Sequence, residues 1–140
     1  MKRIALLSAA LLGLLIVFVF QRFNYAHTWN SIVPQVLEFN TPNQQFIFNR
    51  TVRLVINDCL CIILIWQLFN KPFYLRISFI IFLIELFVVL PIYFFLKLSL
   101  EGASEISSPL LSHIHRMIVN PLLMFLLIIG FIYQSRISKI

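Results

Sequence analysis

Four apolar runs, at residues 4–20, 54–69, 77–96 and 117–133, constrain this 140-residue chain more than any other feature. At a rise of about 1.5 Å per residue, each is roughly 25–30 Å long as a helix, which matches the hydrocarbon core of a bilayer. The runs have no period of two, so they are not the alternating strands of a membrane barrel. A water-soluble fold cannot hide them either: 61% of the residues are hydrophobic, 11% are charged and the mean hydropathy is +0.96. The expectation is an all-α integral membrane protein, a single transmembrane domain over residues 1–140 folded as a four-helix bundle.

A net charge of +6 would point to nucleic acid in a soluble domain. Here the basic residues sit singly or in pairs at the ends of the apolar runs, so they report topology and no nucleic-acid partner is expected. Lys2, Arg3, Lys71, Arg76, Arg136 and Lys139 fall on one side, and Arg22, Arg50, Arg53, Lys97 and Arg116 on the other. The short turn between runs two and three is basic, while Glu38, Glu101 and Glu105 lie in the opposite loops. Both termini are therefore expected inside. The first run has the charge and length of a secretory signal, but "QRFNYAHTW" after it offers no small-x-small cleavage site, so it reads as a retained anchor. Its Ala9 and Gly13 form a small-x-x-x-small pair that admits a close helix neighbour.

The outer loops are expected at residues 21–53 and 97–116. In the first, Trp29, Ile32, Val33, Val36 and Leu37 repeat with helical spacing, which predicts a short helix lying on the outer surface. Pro34 falls in its first turns and Pro42 ends any continuation. The second loop is rich in Gly, Ser and Pro. His113 and His115 lie two apart and point to different faces of any helix, so they make no metal pair by themselves. Cys59 and Cys61 point to nearly opposite faces of one helix and cannot bridge each other. No metal or cofactor is expected.

The residues that do not suit lipid are the informative ones. Arg50, Arg53, Asn57 and Cys61 follow a spacing of 3, 4 and 4 that stacks them on one helix face, with Asp58 turned about 100° away. "RMIVN" before the last run repeats the Arg-x-x-x-Asn of "RLVIN", placing Arg116 and Asn120 at a depth similar to Arg53 and Asn57. Glu85 lies near mid-membrane, where an isolated acid costs about 2.5–3.5 kcal/mol to insert. It must pair, be protonated or face water, with an amide such as Gln67 as one partner, while Asp58 is the expected partner of an arginine. The expectation is one polar interior holding Arg50, Arg53, Asn57, Asp58, Glu85, Arg116 and Asn120. Pro91 and Pro121 mark expected bends, the second in the first turns of its helix.

The segments "FNRTVRLVINDCLCIILIWQLF" and "HRMIVNPLLMFLLIIGFIYQSR", with an N-terminal anchor and an aromatic outer loop, resemble the small multi-pass proteins associated with the exosortase F or exosortase X systems of Bacteroidota. The likeness covers about residues 46–136. It implies a non-catalytic accessory or scaffold subunit in the bacterial inner (cytoplasmic) membrane, with lipids and a larger membrane protein such as an exosortase as partners. It implies no residue roles. Two other readings remain open at this point. One is a small transporter or lipid-binding protein that uses Glu85 and the Arg53/Asp58/Arg116 cluster. The other is a membrane peptidase built on Cys59 or Cys61 with His113, His115 and the arginines.

Overall fold

The computed structural model describes residues 2–33, 38–102 and 108–137. Every regular element among them is helical: α1 Lys2–Val19, α2 Tyr25–Asn30, α3 Pro42–Phe69, α4 Pro72–Ile84, a π-helical turn Glu85–Val89, α5 Leu90–Leu100, α6 Pro109–Val119 and α7 Leu122–Ile137. Two helices are long and apolar enough to cross a membrane, α3 with 28 residues and the continuous Pro72–Leu100 with 29. A third crossing is possible only if α6 and α7, bent by 59° to one another, form one broken span, and α1 is the shorter apolar helix. Among the described residues the four apolar runs thus give two helices long and apolar enough to span, one shorter helix and one bent pair.

The differences from expectation follow from local chemistry. Pro42 does not end an outer helix; it begins α3, so the crossing helix starts well before residue 54 and much of the expected loop 21–53 is helical. Thr41 caps it: its hydroxyl accepts from the Gln44 amide and the Gln44 side chain accepts from the Thr41 amide, both at 3.2 Å. Proline at the first helical position lacks only a donor that would have no partner there. At the other end Asn70 takes a left-handed φ of 49° and its amide donates to the Trp66 carbonyl, after which Pro72 starts α4. The outer helix also begins earlier than the apolar stripe predicted. Asn24 caps α2 through the His27 amide at 3.1 Å, and Trp29 lies near its end. Ile32 and Val33 follow it in a turn, and Pro34, Val36 and Leu37 lie outside the described residues.

Pro91 and Pro121 behave differently from each other. The expected loop 97–116 is cut into by α5, which runs to Leu100, and by α6, which starts at Pro109. Pro121 stands at the start of α7, as expected, and its carbonyl accepts from the Phe125 amide at 3.0 Å, with α6 preceding it. A residue before proline is pushed out of the helical region, and Asn120 accordingly sits at φ −105°, ψ 138° and separates α6 from α7. Pro91 breaks nothing. The π turn just ahead of it, in which the Leu90 amide reaches back five residues to the Glu85 carbonyl, widens the helix where the proline ring would collide with a carbonyl.

Packing fixes the order of the helices. α1 lies along α3, with Ala10 and Leu14 buried against Cys61 and Leu64, and Met124 of α7 in the same cluster. Gly13 permits this approach, since a methyl group there would meet both Leu60 methyls at 3.1 Å. Ala9, its expected companion, is exposed and Ala10 takes the inward place. Arginines tie the two helices at both ends. Arg3 donates to the Gln67 and Leu68 carbonyls at 2.6 and 3.0 Å, and Arg53 donates to the Gln21 carbonyl at 2.7 Å. α1 and α3 are therefore antiparallel. Phe131 of α7 stacks on Tyr74 at 4.2 Å and meets Phe69 edge-on, which brings the end of α7 to the same end of the bundle as Arg3.

Candidate functional site

The polar stripe of α3 turns inward, as its spacing predicts. Arg53, Asn57, Asp58 and Cys61 are at most 4% exposed, and Arg50 is half-buried. Cys59, two residues from Cys61, faces out. Arg50 places its guanidinium 5.4 Å from the centre of the Phe46 ring, a cation–π contact. The Nε atoms of Arg50 and Arg53 and Oδ2 of Asp58 are buried with no hydrogen-bond partner.

The partners of the acids differ from expectation. Asp58 is not joined to an arginine by an ion pair among the described residues; its carboxyl meets that of Glu85, side chain to side chain. Glu85 is 5% exposed and opens the π turn, and it meets this acid in place of the expected amide of Gln67. Because a π turn holds one residue more than an α turn, it re-aims the side chains that follow and precede it relative to an unbroken α-helix. A hydrogen bond between two carboxyls needs a proton on one of them.

The end of the bundle away from Arg3 holds a second polar group that the spacing argument did not pick out. Lys97 is completely buried and its Nζ lies 2.9 Å from Oε2 of Glu101. The other Glu101 oxygen accepts from the Ser108 amide at 2.8 Å, the cap position of α6. Tyr93, also fully buried, shares a 2.7 Å hydrogen bond with Nδ1 of His115. These links join α5 to α6 on either side of residues 103–107. The i, i+4 spacing of Lys97 and Glu101 was the available signal, hidden by taking Lys97 as an interfacial anchor and Glu101 as loop. His115 lies within electrostatic reach of Arg50, Arg53, Lys97 and Arg116, so the cations do gather at one end.

They do not share one cleft, however. Arg53, Asn57 and Asn120 line a cavity of about 320 Å³ between α1, α3 and the α6–α7 break. Arg50 faces a different one, of about 300 Å³, with Arg22, Asn24 and Asn49. Arg116 is exposed and lines neither, so the second Arg-x-x-x-Asn repeat brings only its asparagine to the cavity beside Arg53. α2 is tied to the stretch of α3 just before Arg50. The Ala26 amide donates to Oδ1 of Asn49 at 2.8 Å, Nδ2 of Asn49 donates to Oδ1 of Asn24, and Trp29 packs on Phe48.

His113 is exposed, and among the described residues no three His, Cys, Asp or Glu side chains are grouped to hold a metal ion. Compared with known proteins, the chain matches no family model, no curated protein and no solved structure.

Proposed function

We propose that this chain is a non-catalytic accessory subunit of a bacterial inner-membrane assembly and, on the resemblance carried by its second and last apolar segments, of an exosortase-type protein-sorting system. One observation carries the subunit reading. The most apolar helix, Pro72–Leu100 with mean hydropathy 2.7, has only 17% of its spanning window buried within the chain, against 39% for α3. Phe79, Phe87, Ile92 and Phe95 on it are all exposed, which leaves a broad apolar face for the helices of a larger protein. Several polar groups, by contrast, hold the chain's own segments together, among them Arg53 on Gln21, Lys97 on Glu101 and Tyr93 on His115, a common use of such groups in membranes. Arg3, Lys71, Arg76 and Arg136 lie at the end of the bundle that holds the start of α1 and the end of α7, which supports a cytoplasmic side for both termini by the positive-inside rule.

The test is affinity purification of the intact chain in a mild detergent. A larger multi-pass membrane protein is expected to co-purify, and the Phe87→Ala/Phe95→Ala variant is expected to recover several-fold less of it at unchanged level of the chain. Recovery of the chain alone, from cells that make the sorting enzyme, contradicts the reading.

A further inference from the structure

The cavity beside Arg53 has the features of a lipid site. Its walls are apolar, with Leu11, Leu15, Phe18 and Phe125 both lining it and exposed, so it opens sideways toward the surroundings of the bundle. Its polar end holds Arg53, Asn57 and Asn120, and no carboxylate lines it. Arg53 is 3% exposed, and although one guanidinium nitrogen holds the Gln21 carbonyl, its Nε–H has no partner. A buried donor left unmatched on a cation calls for an acceptor, and an anionic one suits it best. Depth agrees: Gln21 lies just beyond the end of α1, so the guanidinium that holds its carbonyl stands at the end of the apolar wall.

The geometry points to an anionic phospholipid as the occupant, with its phosphate on the Arg53 guanidinium and one acyl chain along Leu11, Leu15, Phe18 and Phe125. The charged end on an apolar wall suits an amphiphile. A volume of about 320 Å³ is at the small end of the range for a bound amphiphile. The site is separate from the outward face of Pro72–Leu100 and stands whether or not the chain is a sorting-system subunit.

The test is native mass spectrometry of the full chain in mild detergent, titrated with phosphatidylglycerol, with phosphatidylcholine and with inorganic phosphate. Wild type is expected to hold one phosphatidylglycerol about tenfold, or about 1.4 kcal/mol, more tightly than phosphatidylcholine, whose phosphate is offset by its own choline cation beside the Arg53 guanidinium, and to hold no inorganic phosphate. Arg53→Gln is expected to remove that preference. Leu15→Trp keeps Arg53 and fills the cavity, and is expected to weaken both lipids alike. Equal retention of the two lipids by wild type, undiminished preference in a folded Arg53→Gln, or unchanged binding in Leu15→Trp overturns the proposal, and binding of inorganic phosphate without lipid reduces the site to an ion site and overturns it too.

Discussion

Tyr93→Ala is expected to be among the most destabilising single substitutions in this chain, at about 2–4 kcal/mol. The ring is completely buried where α3, α5 and α6 meet, 6.3 Å from the Phe46 ring and 5.9 Å from His115. In a soluble protein, truncating such an aromatic costs about 3–5 kcal/mol. Part of that is return of apolar surface to water, which is missing when the unfolded reference is in lipid. The void remains, at about 24 cal/mol per Å³ of cavity, and so does the loss of the 2.7 Å bond to His115, about 1 kcal/mol. Tyr93→Phe separates the two: it keeps the ring and is expected to cost only about 0.5–1.5 kcal/mol. Unfolding both variants by titrating mild detergent with sodium dodecyl sulfate measures the difference. Equal losses for Phe and Ala would mean that the hydrogen bond, not the packing, holds α5 to α6.

The second large effect is expected at the acid pair. Asp58→Ala leaves the Glu85 carboxyl buried without its partner, which costs about 1–3 kcal/mol, while Asp58→Asn keeps the shape and supplies a donor and is expected to retain most of the stability. The double variant Asp58→Ala/Glu85→Ala is expected to cost less than the sum of the single ones, with a coupling of about 0.5–3 kcal/mol, the range for residues in direct contact. The same titration reads all of these. Strict additivity would mean that the two acids do not interact.

The inward face of α3 was readable because helical period and unusual chemistry coincide: Arg53, Asn57 and Cys61 share a face, and a lipid-facing helix does not carry such a stripe. That the arginine-bearing ends share one end of the bundle was readable too, from the alternation of apolar runs. What stayed hidden depends on partners distant in sequence or on small backbone changes. Nothing local says that Asp58 meets Glu85 and not Arg53, because the π turn before Pro91 shifts the facing of its helix. Arg116 repeats the spacing of Arg53, yet the break at Asn120 turns α6 so that Arg116 is exposed. Lys97 looked like an anchor because its partner Glu101 lay past the last apolar residue. The start of α3 was misread although "TPNQ" spells a capping box with proline at the first position, because proline was weighed only as a terminator.

The central structural statement, that the acids of α3 and of the Pro72–Leu100 helix close on each other inside the bundle, is tested most directly by disulfide trapping in native membranes. In a Cys59→Ser/Cys61→Ser background, cysteines at positions 58 and 85 are expected to join within one chain under mild oxidant, because the two side chains meet. Cysteines at 59 and 85 are expected to stay reduced, because position 59 faces outward. A pair that closes at 59 and 85 but stays open at 58 and 85 would put Asp58 on the lipid side and contradict the account.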